Sequence, residues 1–175
     1  MKTILVIFAA ICVLCTYAGA QGGPLRAVAV LTGNVIRGTI YFTQTRVGEP
    51  VLVQVDVTGL TANQGHGFHI HETGDLTRGC ASLLGHYDPH TLNHGGPRDH
   101  VRHVGDLGNI QADSNGISRY TFSDNLISLS GAGSIIGRGV IVHQDVDDLG
   151  RGGHPDSLTT GNAGARAACG VVGIV

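Results

Sequence analysis

The chain of 175 residues has no tryptophan, one lysine, two glutamates and five prolines. Coiled coils and helical bundles draw heavily on Glu, Lys, Ala and Leu, so both classes are excluded. Collagen is excluded as well, because the 28 glycines follow no period of three. Disorder is not expected at 42% hydrophobic residues and a formal charge of −2. A composition rich in Gly and poor in helix formers indicates an all-β domain with many tight turns.

The N-terminal segment has the pattern of a secretory signal peptide. Lys2 precedes an apolar run over residues 4–14, and small residues follow at Ala18-Gly19-Ala20. The run is shorter than the roughly 20 apolar residues that cross a bilayer, so no membrane anchor is expected. We therefore predict a signal peptide over 1–20 and a single secreted, extracellular domain over 21–175.

Residues 21–175 carry ten arginines, no lysine and 13 acidic residues, a net charge of about −3. A nucleic-acid partner is not expected, since no cluster of basic residues is present. The chain ends at Val175 without a basic tail, so attachment to sulfated polysaccharide is not expected either.

Only Cys80 and Cys169 remain once the predicted signal peptide is removed. Two cysteines in a secreted chain most simply form one disulfide, and two free buried thiols are the alternative. A disulfide would close a loop of about 90 residues, which the chain-entropy treatment values at roughly 4–5 kcal/mol.

Apolar residues alternate with polar ones in several short runs. The clearest run is 51–57, where every second residue is valine, as in a half-buried strand. Similar runs predict strands over 25–31, 36–44, 51–57, 65–71, 106–111, 117–122, 126–129, 140–143 and 167–175. Two long polar segments, 72–104 and 144–165, separate them and are predicted to be loops. Short strands with long loops favour a sandwich or a Greek-key barrel.

Ten histidines are an excess for a chain of this length. His69 and His71 are two residues apart in a predicted strand, so both rings project from the same face. Such a pair could bind one metal ion. The alternative is a polar strand face with solvated imidazoles.

A second group of candidate ligands follows in the first long loop. His86, His94 and His103 lie near Asp106, and three imidazoles with one carboxylate suit tetrahedral Zn²⁺. His143 ends a strand far downstream. A set made of imidazoles alone favours Cu²⁺ on affinity grounds.

Several motifs occur in a fixed order along the chain. They are Gly67-Phe68-His69-Ile70-His71, His94-Gly95-Gly96-Pro97, Arg102-His103-Val104-Gly105-Asp106-Leu107-Gly108-Asn109, Val142-His143, Asp147-Asp148-Leu149-Gly150 and Gly161-Asn162-Ala163-Gly164-Ala165-Arg166. These resemble the signature motifs of the copper/zinc superoxide dismutases, over residues 25–175. The resemblance implies an eight-stranded Greek-key β-barrel with two long functional loops. It also implies an antioxidant enzyme that converts superoxide to O₂ and H₂O₂, with copper and zinc as cofactors.

The resemblance also assigns roles to individual residues. It implies copper ligands at His69, His71, His86 and His143, and zinc ligands at His86, His94, His103 and Asp106. Asp147 would tie one copper ligand, His69, to one zinc ligand, His94. Arg166 would bind the anion beside copper, and His86 would act both as bridging ligand and as proton donor. Cys80 would pair with Cys169, and His66 matches a position with a structural role.

Two departures from the family pattern bear on function. Only Asp156 remains of an acidic pair in the second long loop, and Thr159 stands where the family has a lysine that guides the anion. Electrostatic steering of superoxide is therefore expected to be weaker than in the family. The additional histidines His90, His100 and His154 are expected to be solvated.

The resemblance further implies a homodimer. Ile136 and Ile174 keep the apolar character of the family's dimer contact, whereas Thr73 replaces an apolar residue there. A homodimer is therefore expected, with a contact that is less apolar than usual.

A non-catalytic extracellular copper/zinc-binding protein on the same fold is the alternative function. The presence of His86 and Arg166 argues against it, because a carrier needs neither a bridging ring nor an anion-binding arginine. A copper-chaperone-like module is disfavoured because residues 21–175 contain no Cys-x-x-Cys motif.

Overall fold

The computed structural model describes residues 23–175, so the signal peptide predicted over 1–20 lies outside the described residues. The strands are β1 (Leu25–Gly33), β2 (Arg37–Gln44), β3 (Val51–Thr58), β4 (Gly65–Ile70), β5 (Thr77–Cys80), β6 (Asp106–Gln111), β7 (Ser118–Asp124), β8 (Gly139–His143), β9 (Arg166–Val171) and β10 (Gly173–Ile174). A 3₁₀ turn spans Ala81–Leu83, and the single-turn helix α1 spans Ser157–Thr160. Within the described part of the chain, no helix is long and apolar enough to cross a membrane.

Eight strands form one nearly closed antiparallel barrel. Their order is β6-β4-β8-β9-β1-β2-β3-β7, and β10 adds to β1. The chain crosses between the two halves of this path after β3, after β6 and after β7, which is a Greek-key arrangement. The predicted all-β fold, an eight-stranded Greek-key barrel, is confirmed.

The barrel interior is filled by the alternating apolar residues that predicted the strands. In β3 all four valines are buried, and the residues between them, Leu52, Gln54 and Asp56, are exposed. Phe42 in β2 and Phe68 in β4 are the largest side chains that are fully buried. Because side chains alternate across a strand, the other face of β4 carries His69. The core thus determines which way this histidine points.

A buried arginine joins the two ends of the strand path. Arg102 is 3% exposed, and its guanidinium donates to the backbone carbonyl of Asp106 at the start of β6 and to the carboxylate of Asp124 at the end of β7, both at 2.5 Å. The hydroxyl of Tyr120 in β7 donates to the carbonyl of Asn109 in β6 at 3.3 Å. These contacts span the gap between β6 and β7, and they fix the start of β6.

The predicted disulfide is confirmed. Cys80 at the end of β5 is bonded to Cys169 in β9, with 89 residues of sequence separation. Leu83 and Ile141 pack with it in a small buried cluster. The bond therefore attaches the first long loop to the barrel wall.

Several predicted element boundaries differ from the structure. The strand predicted over 126–129 is wrong, because side chains take its backbone donors: Asp124 accepts from the N–H groups of Leu126 and Ile127, and Gln44 accepts from Leu129. The first long loop contains β5 and the 3₁₀ turn, and the second contains α1. The last predicted strand is divided into β9 and β10.

Replacing Arg102 by methionine is expected to lower the free energy of unfolding by about 3–5 kcal/mol, because the Asp124 carboxylate would stay buried without its partner. Urea unfolding of the purified chain measures this loss. Arg119→Met is the matched control, since Arg119 pairs with Asp56 on the exposed barrel surface, where its side chain is 63% exposed. That substitution is expected to cost less than about 1 kcal/mol, and equal losses in the two variants would contradict the role of Arg102.

Candidate metal centre

The barrel and the two long loops bring all the predicted ligand residues together in one buried cluster. His69 lies in β4 with His71 directly after it, and His143 ends the neighbouring strand β8. The first long loop contributes the remaining histidines, and Asp106 begins β6. Two groups contain all the predicted ligands, each with donor atoms within 4.8 Å of one another: His69, His71, His86 and His143; and His86, His94, His103 and Asp106. A third group, His69, His94 and Asp147, joins one histidine of each.

The strand face that carries His69 and His71 is covered rather than solvated. Both rings are fully buried, and so is every residue of β4. The alternative of a solvated polar face is therefore wrong. His86 belongs to both groups, and its ring lies between them, with a centroid 4.0 Å from that of His69 and 5.2 Å from that of His94.

Backbone carbonyls orient two rings of the first group through their Nδ1 atoms. His71 donates Nδ1–H to the carbonyl of Leu84 at 2.8 Å, and His143 donates Nδ1–H to the carbonyl of Gly164 at 3.1 Å. His66 donates in turn to the backbone carbonyl of His143 at 2.9 Å. These bonds leave Nε2 of His71 and His143 with a free lone pair, and they place His66 in a structural position outside both groups.

Four buried ring nitrogens in the first group have no hydrogen-bond partner anywhere in residues 23–175. They are Nδ1 of His69 and Nε2 of His71, His86 and His143. Buried polar atoms without partners are costly to a fold, and four of them facing one point indicate a ligand. A set made only of imidazole nitrogens fits copper.

The electrostatics keep these rings neutral. Burial holds the pKa of His69, His71 and His86 below the ordinary value for histidine, and it lowers the pKa of His143 to about 4. A neutral imidazole offers the lone pair that a metal ion needs, whereas a protonated ring does not. The first group is therefore ready to bind a metal ion at neutral pH.

The second group converges on one carboxylate oxygen. Oδ1 of Asp106 lies 2.8 Å from Nδ1 of His86, 2.9 Å from Nδ1 of His94 and 3.1 Å from Nδ1 of His103. Its other oxygen accepts backbone N–H groups of Gly95 and His103. Burial would raise the pKa of Asp106, but its bonds to the three rings hold that pKa well below the usual range. Three imidazoles and an ionised carboxylate fit tetrahedral Zn²⁺.

Asp147 connects the two groups. It accepts from Nε2–H of His69 at 2.9 Å and from Nε2–H of His94 at 2.8 Å. Although burial lowers it, the pKa of His94 is raised to about 9 by its contacts with two carboxylates. Gly161 packs so tightly here that a Cβ atom would lie 1.9 Å from the Asp147 carboxylate, and its φ of +66° also favours glycine.

Sequence reasoning missed the residue that holds Asp147. Asn109 donates to the backbone carbonyl of Asp147 at 2.9 Å and accepts from its N–H at 2.8 Å. Asn109 is the last residue of the motif that begins at Arg102, and its place in that motif was the only sequence signal that could have pointed to this role.

Arg166 lies opposite His143 in the pairing of β8 with β9. Its guanidinium donates to the carbonyl of Cys80 at 2.6 Å and to the carbonyl of Leu84, which also accepts from His71. Arg166 is partly exposed, so one side of this fixed cation remains open to solvent. Sequence reasoning missed these carbonyls, because a backbone acceptor has no residue signature.

The three additional histidines lie outside both groups. His90, His100 and His154 are all exposed. The cluster therefore contains six of the ten histidines, and His66 is buried beside it.

Comparison with known proteins adds a family match. Residues 36–172 match the family model described as copper/zinc superoxide dismutase. The chain is 50% identical to the extracellular superoxide dismutase [Cu-Zn] of Drosophila melanogaster, over 99% of each chain.

Two further similar proteins were found, one by sequence and one by structure. The chain is 52% identical to a superoxide dismutase [Cu-Zn] of Paramecium bursaria Chlorella virus 1, over 86% of this chain and 79% of that protein. It is also similar to a crystal structure of the clock protein EA4, with 52% identity, a TM-score of 0.83, and coverage of 88% of this chain and 97% of that one.

Proposed function

This chain belongs to the copper/zinc superoxide dismutase family, and from that premise we propose that its two histidine groups are the metal sites of a secreted enzyme. The enzyme converts two superoxide anions and two protons to O₂ and H₂O₂. The observation that carries the site assignment is the convergence of four unpartnered ring nitrogens beside a second group that shares His86.

Each donor atom has one assignment. Copper would be held by Nδ1 of His69 and by Nε2 of His71, His86 and His143. Zinc would be held by Nδ1 of His86, His94 and His103 and by Oδ1 of Asp106. Asp147 orients one ring of each set, as carboxylates beside metal ligands commonly do. His86 would offer its two nitrogens to different metals, so the orientation of its ring would matter to both sites.

Copper supplies the one-electron chemistry, since Cu(II) can take an electron from one superoxide and Cu(I) can return it to a second, while zinc has no redox change. Arg166 binds the anion. Its guanidinium carries a permanent charge, and the carbonyls of Cys80 and Leu84 hold it in one orientation. The anion therefore meets a fixed cation beside the histidine cluster, and little side-chain freedom is lost when it binds.

His86 supplies a proton. Its Nε2 atom can hold either a metal ion or a proton, not both. In its protonated form it would donate that proton to the peroxide product and take up another from solvent, and the second proton of the product comes from solvent. Its Nδ1 atom meanwhile stays beside Asp106, which keeps the ring in place. The burial of His86 limits the exchange of this proton with bulk water.

Secretion is proposed from two observations. The signal peptide predicted over 1–20 begins a chain that is similar over 99% of its length to an extracellular relative. The Cys80–Cys169 disulfide suits an oxidising compartment.

A homodimer is proposed through the face formed by β1 and β10. Val30 is 62% exposed and Ile174 is 76% exposed, on strands that pair directly. Exposed apolar patches of this kind mark interaction surfaces. Ile136 packs against the core and is only partly exposed, so it contributes less to this face.

The wild-type chain is expected to bind one copper and one zinc and to remove superoxide. Arg166→Ala is expected to keep both metals and to lose about ten- to a hundredfold in activity, because a charged hydrogen bond to the anion is removed. Metal analysis and a superoxide-removal assay measure the two properties. Arg46→Ala, which removes a charge from an exposed turn, is the control. Full copper without activity would contradict the enzyme, and equal activity of Arg166→Ala would contradict the role of Arg166.

Thr159→Lys is expected to raise the rate about two- to fivefold at low ionic strength and to make it fall more steeply with salt. The reason is that Thr159 lies close to the histidine cluster. It belongs to α1, where the carbonyl of the adjacent Leu158 accepts the backbone N–H of His94 at 2.9 Å. Rates measured across a salt series give the comparison. Thr121→Lys adds the same charge on an exposed part of β7 and should leave the rate unchanged. A rate in Thr159→Lys that stays at the wild-type value at every salt concentration would contradict this account.

Ile174→Glu is expected to convert the dimer to monomers, because it places a charge in the proposed apolar contact. Sedimentation velocity measures the change. Val47→Glu is the matched control, since Val47 is equally exposed in the turn between β2 and β3. A wild-type chain that sediments as a monomer, or an Ile174→Glu chain that stays dimeric, would overturn this interface.

A further inference from the structure

A carboxylate with no assigned role holds a turn in the first long loop. Asp88 accepts the backbone N–H of His90 at 3.2 Å through Oδ1 and that of Leu92 at 2.9 Å through Oδ2. Both oxygens are therefore used, and the turn over 88–92 depends on a side chain rather than on strand pairing.

The turn reaches the second histidine group through Leu92. The carbonyl of Leu92 accepts Nε2–H of His103 at 3.0 Å, and Nδ1 of the same ring lies 3.1 Å from Oδ1 of Asp106. His103 is thus held at both nitrogens. Since Asp88 fixes Leu92 through its N–H, the carboxylate of Asp88 sets the position of the acceptor that orients this ring.

The charge of Asp88 also acts on the ring directly. Its Oδ2 atom lies 3.8 Å from Nε2 of His103, and the Asp88 side chain is only 19% exposed, so solvent screens the interaction incompletely. When Nδ1 binds a cation, positive charge develops on the imidazole. A carboxylate near the outer nitrogen stabilises that charge and makes the ring a stronger ligand.

We propose that Asp88 is a positioning residue of the zinc site, which sets the orientation and donor strength of His103 through the carbonyl of Leu92 and through its own charge. The proposal rests on the assignment of His103 as a zinc ligand under the proposed function. It adds a residue to that site that touches no metal.

The test is the zinc affinity of the full chain, freed of metals and titrated with Zn²⁺ alone against a chromophoric chelator. Asp88→Asn removes the charge and is expected to weaken zinc binding about tenfold, within the range usual for carboxylates that support ligands. Asp88→Ser keeps a hydroxyl acceptor for one turn hydrogen bond without the charge and should show a similar loss. The second variant also provides the comparison if Asp88→Asn folds poorly.

Asp113→Asn is the matched control. Asp113 also accepts two backbone N–H groups in its turn, those of Asn115 and Ile117, and it carries the same charge outside the first long loop. The zinc affinity of the Asp113→Asn variant should stay within about twofold of the wild-type value. Co²⁺ bound in place of zinc gives a second readout, since its visible spectrum should shift in Asp88→Asn and not in Asp113→Asn.

The outcomes separate this inference from the site assignment. If the wild-type chain binds zinc and Asp88→Asn has the same zinc affinity and the same cobalt spectrum, the role of Asp88 is overturned while the zinc assignment stands. An equal loss in Asp113→Asn would also overturn it, because the effect would then be one of net charge. A wild-type chain that binds no zinc would overturn the zinc assignment itself.

Discussion

One oxygen atom of a buried carboxylate organises the cluster. Oδ1 of Asp106 contacts three imidazoles that come from three points along the first long loop. A buried ionised carboxylate is tolerated only when several partners satisfy it, and here the rings and two backbone N–H groups do so. The loop is therefore folded around Asp106. The position of Asp106 depends in turn on Arg102, which holds the start of β6 against β7.

The rest of the site follows from how loops are fastened to the barrel. β4 and β8 supply rings from rigid strands, whereas the loops have almost no regular secondary structure of their own. Each loop is tied to the barrel by a different interaction: the first by the disulfide to β9, and the second by the paired hydrogen bonds between Asn109 and Asp147. When loops carry candidate ligands, the positions of those side chains depend on the hydrogen bonds and covalent links that hold the loops to the barrel.

The sequence predicted most of this structure because its signals are local. Alternation in 51–57 predicted β3, and the spacing of His69 and His71 predicted that both rings share one face. The strand predicted over 126–129 failed because Asp124 and Gln44, one of them distant in sequence, compete for its backbone donors. The contacts of Arg166 could not be predicted at all, since they are carbonyls that any residue could provide. The sequence pattern therefore identifies candidate ligands, while the groups that orient them are found only in the tertiary structure.

The carbonyl of Leu84 serves both His71 and Arg166, and it belongs to a residue with φ of +63° in a backbone region that favours glycine. The same short segment begins at Cys80, so one peptide group connects the disulfide to His71, the proposed metal ligand, and to the guanidinium of Arg166, which is proposed to bind the anion. Under the proposed function, a displacement of the disulfide would therefore affect metal retention and anion binding together. The thiol–disulfide balance of the surrounding compartment would then act on both properties through one bond.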